Sequence, residues 1–226
     1  MKKWVKLLSL LLTFVCFSLS LISCERNRTY DEAEVKAAAE ELILLSVDLN
    51  EIYYGKGIDY SSDVSTSSGN YYEASHSSLK KFGIQTIEDL VKKTTRVYTS
   101  DYSNEIFETK IGGVYSGEGS FELSRYYQKT DVLTGENICI MVYSLAKVYL
   151  TDTVEYDFEN MTVLRSKGER VYVSVPVAVT NEEGKSQKID IEIALIEEEN
   201  GWRLDSPTYA KYNEYLDYYN DLQNKK

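Results

Sequence analysis

Histidine is almost missing from this chain: His76 stands alone beside three cysteines in 226 residues. A structural zinc site takes four ligands, mostly Cys and His, so the sequence leaves almost no room for one. Nucleophilic catalysis lacks its signature too. The serines of Ala74-Ser75-His76-Ser77-Ser78 make no catalytic unit by proximity alone, because nucleophile, base and orienting carboxylate have to meet in space. No Gly-x-Ser-x-Gly elbow occurs, and His76 reads as a solvated loop residue. Asp59 and Asp63 lack the spacing of a calcium loop, and no glycine motif that cradles phosphate is present. Basic charge is short as well: 25 Lys and Arg face 36 Asp and Glu. Nucleic-acid binding rests on a basic patch that neutralises phosphates, so this balance argues against it. The sequence points to no cofactor, no metal and no catalytic residue. An Asp base with Tyr donors stays open, since carboxylates are plentiful and Tyr numbers 20.

The N-terminus is better marked. Lys2, Lys3 and Lys6 precede an apolar run from Leu7 to Ile22, which closes in Leu21-Ile22-Ser23-Cys24. A charged start, a short apolar stretch and a small residue before the cut describe a secretory signal and not a membrane span. The last four residues resemble the bacterial lipobox, in which the Cys is lipidated and becomes the new N-terminus. That resemblance implies a signal peptide over 1–23, lipid on Cys24, a tether over 24–30 and a single domain over 31–226 outside the cytoplasmic membrane. The anchor would lie in the cell membrane or the outer membrane, by the several acyl chains that stable attachment takes.

On that reading 203 residues remain, enough for one sizeable core. Loss of the three lysines leaves 22 bases against 36 acids, a formal −14. Such a surface does not adsorb to anionic lipid; it serves solubility or complements a basic partner. With Cys16 removed and Cys24 acylated, Cys139 has no partner for a disulfide, and the core alone holds the fold. Set in Ile138-Cys139-Ile140, it reads as a buried, inert thiol.

Periodicity then orders the domain. Acids at Asp31-Glu32-Ala33-Glu34 suit a helix start, and Val35, Ala38, Leu42, Leu45, Leu49 and Ile52 recur at steps of three and four, with Ile43 and Leu44 widening the stripe. Gly55 to Ser78 reads as a Ser/Gly-rich exposed loop. Thr86-Ile87-Glu88-Asp89 is a capping-box start for a helix to about Thr99, and Asp101 to Lys110 predicts another, closed by Gly112-Gly113.

From there the period falls to two. Phe121–Tyr127 predicts a strand, and Ile138–Leu150, apolar on both faces, a central one. Met161–Leu164 and Val171–Val179 flank a hairpin signal at Arg165-Ser166-Lys167-Gly168, with Val171, Val173, Val175, Val177 and Val179 on one buried face. Pro176 in that run predicts a bulge or an edge. Asn181-Glu182-Glu183-Gly184 leads to Ile189, Ile191, Ile193 and Leu195, and Asn200-Gly201 predicts a hairpin into a strand with Trp202 and Leu204 on the inner face.

Helices first and hairpins after them give an α+β domain: N-terminal helices on a curved, cone-like antiparallel sheet, with a short C-terminal helix. The order resembles the nuclear-transport-factor-2-like, or cystatin-like, superfold, which hosts enzymes, binders and scaffolds alike. In the Tyr-rich tail 209–226, Tyr212, Tyr215, Leu216, Tyr219 and Leu222 are spaced for a short amphipathic helix. The stripe either packs back on the domain or offers Tyr212, Tyr215 and Tyr219 to a partner or a sugar chain. Thr86–Thr94 with Val97-Tyr98-Thr99 resembles a helix of the secreted DL-endopeptidase-inhibitor family, and Gly201–Tyr209 resembles the closing strand of related clostridial lipoproteins. The resemblance implies binding to a peptidoglycan-cleaving cysteine hydrolase; no inhibitory residue carries over. The expectation is a lipid-anchored, non-enzymatic binding domain of the cell envelope, with a cell-wall hydrolase or another envelope protein as partner. The alternatives are a small-molecule-binding or enzymatic cone and a structural envelope lipoprotein.

Overall fold

The computed structural model describes residues 30–65, 70–112 and 124–212. Its first helix, α1 (Glu32–Tyr53), begins where the acids predict it, with the Asp31 side chain accepting from the Ala33 amide. Its buried face runs through Val35, Ala39, Leu42, Ile43, Ser46, Leu49, Asn50 and Tyr53. Ala39 and Ile43 therefore occupy the centre expected for Ala38 and Leu45, and Leu44 and Leu45 are exposed.

The far end of α1 is capped from elsewhere. A helix leaves its last four carbonyls without intrahelical partners, and α1 has no basic residue of its own in the last turn. The Tyr126 hydroxyl donates to the Ile52 carbonyl at 2.7 Å, and Arg125 donates to those of Tyr53 (3.0 Å) and Gly55 (2.7 Å). The Tyr54 carbonyl accepts from the Tyr149 and Leu150 amides. Arg125 is only 5% exposed, and its positive charge sits on the negative end of the helix dipole. Gly57, at φ +83°, leaves the space this cap needs, since a Cβ there would stand 2.4 Å from the guanidinium.

The exposed loop expected over 55–78 is instead built: β1 (Tyr60–Ser65) and β2 (Tyr71–Ala74) pair antiparallel, and α2 (His76–Phe82) follows. Composition hid this because the serines serve local bonds. Ser75 caps α2, and buried Ser78 accepts from the Asp59 amide through its hydroxyl. Tyr60 and Tyr72 stack at 5.1 Å across the hairpin. Helix α3 (Ile87–Val97) carries the predicted capping box between Thr86 and Asp89. In α4 (Ser100–Lys110) the cap is Thr99, and no glycine closes the helix: Ile111 is extended and starts β3 (Ile111–Gly112).

The strands form two curled sheets on the helices, an α+β fold. Sheet 1 has the order β1-β2-β5-β4-β3, with β4 at Tyr126–Thr130 and β5 at Asn137–Tyr143. All its pairings are antiparallel except β3 with β4. The long apolar run thus yields a strand only to Tyr143; Leu145, Val148 and Tyr149 are exposed. Sheet 2 has the order β10-β9-β8-β6, and β7 also pairs β8: β6 (Thr153–Tyr156), β7 (Thr162–Lys167), β8 (Arg170–Thr180), β9 (Ser186–Glu198) and β10 (Gly201–Leu204). The five valines of β8 are all buried, as predicted.

Pro176 marks neither a bulge nor an edge. It lies within β8, between two covered sides, where β6 ends and β7 begins. The Pro176 carbonyl accepts from the Asp157 amide there, so the donor that proline lacks faces the gap between the two neighbouring strands. The hairpin expected at Asn200-Gly201 turns one residue earlier: Gly201 already pairs with Glu198, at φ +101°. Trp202 is buried with an edge contact to Tyr30 (5.2 Å), and its indole N–H donates to Glu34. α1 touches β7, β8, β10 and α3; α3 touches β4 of the other sheet. Of the expected C-terminal helix only Tyr212 falls within the described residues.

Candidate functional site

Cys24, Tyr215 and Tyr219 lie outside the described residues. Tyr212 is partly buried against the core, and its amide donates to the Asp152 carboxylate at 2.9 Å. The segment leading to it is clamped on α1. The Ser46 and Thr208 hydroxyls stand 2.6 Å apart, Asn50 donates to Thr208 at 2.9 Å, and the Tyr156 hydroxyl donates to the Thr208 carbonyl. Thr208 is fully buried, so this polar network is satisfied internally and explains why two polar residues sit in the buried stripe of α1.

The structure brings His76 and Cys139 to one open groove on sheet 1. Glu73, Leu79, Ile84, Asp89 and Ile138 also line this space of about 1010 Å³. Cys139 is half-buried, where a buried thiol was expected, and Ile138 beside it is exposed. Burial first, and the charge of Glu73 second, push the thiol above its ordinary pKa. Its S–H donates to the Met141 thioether at 3.6 Å. A nucleophilic cysteine needs the reverse, a cation or a helix N-terminus that stabilises thiolate. His76 is exposed, not in a loop but at the first position of α2. Asp89 is spent on the helix cap, where the Gln85 and Thr86 amides hold its carboxyl below the usual range. Among the described residues no three His, Cys, Asp or Glu side chains group to hold a metal.

At the end of the same sheet, the β4–β5 hairpin carries the feature that sequence reasoning missed. One Asp131 carboxylate oxygen accepts from the Leu133 (2.8 Å) and Thr134 (3.0 Å) amides. The Asp131 carbonyl accepts from Gly135, and the Asp131 amide donates to Glu136. Gly135 takes φ +73°, a conformation with no side-chain penalty only for glycine. The result is a fully bonded turn that holds Val132 and Leu133 in water, 97% and 95% exposed. Asp131-Val132-Leu133-Thr134-Gly135 spells the turn in the sequence: an Asx acceptor, then glycine, with two apolar residues at the tip.

The inner face of sheet 2 is filled, while its outer strand β6 borders a space of about 550 Å³ shared with Glu40 of α1. Val173, Val175, Val179, Ile193 and Leu195 fill that inner face at full burial, against a ligand chamber between sheet and helix. No protein-family model, curated protein or solved structure matches the chain. The site therefore rests on its own geometry.

Proposed function

We propose that the protein is a lipid-anchored, extracytoplasmic binding domain of the cell envelope whose partner is a cell-wall hydrolase. The observation that carries the reading is the β4–β5 tip. Fully exposed apolar side chains on a rigid turn lower the stability of nothing they touch and gain free energy only by entering another surface. A tip preorganised by Asp131 loses little entropy on docking. Signal residues 1–23 and Cys24 supply the address, and the acidic surface suits a basic partner. The two segments that resemble the inhibitor family also meet in space. The Thr99 amide donates to the Leu204 carbonyl at 2.9 Å, and the Thr99 hydroxyl to Asp205 at 2.7 Å.

The test adds the purified protein to peptidoglycan-cleaving cysteine hydrolases and measures binding and residual activity. Wild-type chain is expected to bind and inhibit, and Val132→Asp with Leu133→Asp to weaken binding about 30-fold or more, the scale of a lost hot spot. Absence of both binding and inhibition by the wild-type chain refutes the hydrolase reading. Cys24→Ser is expected to move the protein out of the membrane fraction with loss of lipid label.

A further inference from the structure

We propose that the surface around Tyr149 binds a phosphate group through the ammonium groups of Lys110, Lys147 and Lys211. In a chain of formal charge −11, three of the 25 basic residues gather on this one ring. Their nitrogens stand 5.0, 5.1 and 5.8 Å from its centroid, in that order. Every pair of them therefore lies within about 11 Å, a separation that salt near 0.1 M only partly screens. Lys110 also stands 5.1 Å from the Tyr54 ring, and Tyr149 is 44% exposed, so the cluster opens to solvent.

The fold forces these like charges together from three separate segments. Lys110 ends α4, and the negative end of that helix favours it. The helix gives no account of Lys147 and Lys211 beside it. Lys147 and Tyr149 follow β5 in a stretch tied at both ends: the Ser144 amide donates to the Asn70 carbonyl, and the Tyr149 and Leu150 amides to that of Tyr54. Lys211 arrives on the segment that Thr208 clamps to α1. The ring attracts each cation but neutralises none. Among the described residues no carboxylate forms an ion pair with Lys110 or Lys147. Burial first, and the Arg125 charge second, lower the pKa of Lys110, the direction that a bound anion would reverse. The ammonium chemistry selects the anion. Lysine lacks the planar fork with which arginine matches a carboxylate, and acts on phosphate as a point charge. A tetrahedral phosphate presents oxygens in several directions, so ammoniums spread around one ring can share it. An anionic membrane would meet the repulsion of the whole acidic domain, whereas one phosphate reaches the three lysines alone. A free phosphate and a phosphate repeated along a polymer share this chemistry.

Equilibrium dialysis of the purified full chain against labelled inorganic phosphate and labelled linear polyphosphate tests the site and separates the two sources. Wild-type chain is expected to retain polyphosphate, with affinity falling about 20-fold from about 50 to 200 mM salt, the scale of three charges neutralised on a single-stranded phosphate chain. Lys147→Gln, at an exposed side chain, is expected to weaken retention about threefold, the scale of one exposed charge pair. Lys110→Gln with Lys147→Gln is expected to weaken it about tenfold and to flatten the salt dependence to about threefold. Lys80→Gln with Lys129→Gln removes two exposed charges elsewhere and is expected to change nothing. Retention of inorganic phosphate as well supports a site for a single ion, and retention of polyphosphate alone supports one for a chain. Retention of neither probe by the wild-type chain overturns the proposal. So does unchanged affinity in Lys147→Gln, or an equal loss in the Lys80 and Lys129 variant.

Discussion

In sheet 2 the eleven residues of β8 pair with β9 in one unbroken register, Arg170 with Ile196 through Thr180 with Ser186. Among the described residues no strand of sheet 1 exceeds the seven residues of β5, and its β1–β2 and β4–β5 pairings both slip, as in sheet 2 only the shorter β7–β8 pairing does. The difference follows from the side chains. Strict alternation in β8 means that a one-residue slip would turn five valines into water, so burial alone fixes the register. In sheet 1 tyrosines occupy both faces, and a slip exchanges one half-polar ring for another. Register there depends on particular bonds: the Tyr71 hydroxyl donates to the Ser124 carbonyl at 2.7 Å, and Gln128 accepts from the Ile87 amide and donates to the Cys139 carbonyl. The sheet held by individual bonds carries the exposed tip and the groove of about 1010 Å³, whereas the apolar face of sheet 2 is closed against the helix. On the function proposed above, stability and recognition divide between the sheets.

Core substitutions test that division most strongly. Ile193→Ala empties a fully buried site in sheet 2 and is expected to cost about 2–5 kcal/mol in denaturant unfolding. Ile138→Ala, on the exposed flank of the groove in sheet 1, is expected to change stability by less than about 0.5 kcal/mol. Equal losses at the two positions would break the comparison.

Arg125 comes next, because it ties sheet 1 to the helix that sheet 2 covers. Arg125→Met removes both guanidinium bonds and leaves the Tyr53 and Gly55 carbonyls buried without them, at an expected cost of about 2–3 kcal/mol. A loss this large from a residue just before β4 would show that sheet 1 contributes through its helix cap more than through its own strands.

The α3 cap is smaller. Thr86→Ala is expected to cost about 1 kcal/mol. Its partner Asp89 has a carboxyl pKa lowered by the Gln85 and Thr86 amides, so this stabilisation is present above the unfolded value of about 3.9 and disappears as pH falls through the lower folded value. Asp89→Asn is expected to flatten the loss of stability below about pH 4, measured by thermal melts across pH.

These elements also differ in how plainly the sequence announced them. The β8 valines, the Thr86–Asp89 box and the Asp31 start were legible because each obeys a local rule of period or capping. The β1–β2 hairpin was not, since Ser61 and Ser62 look like loop and become strand only beside β2. Arg125 was hidden for a related reason: its carbonyl partners lie some seventy residues earlier, and nothing local marks an arginine as a helix cap. His76 and Cys139 share a groove that no spacing in the chain foretells.

The hairpin tip carries the smallest expected effect on folding and the sharpest test of the division between the sheets. Val132 and Leu133 touch almost nothing, and the turn beneath them is held by Asp131 and Gly135. Val132→Asp with Leu133→Asp is therefore expected to shift unfolding by no more than about 0.5 kcal/mol. Asp131→Ala, which removes the acceptor of two amides while keeping both apolar side chains, is expected to loosen the turn and weaken docking without changing what the tip presents. If the double Asp variant unfolds the domain, the tip is part of the core after all. If it leaves stability intact and Asp131→Ala reproduces part of its binding loss, rigidity and apolar contact act together at one place, on the sheet that the core depends on least.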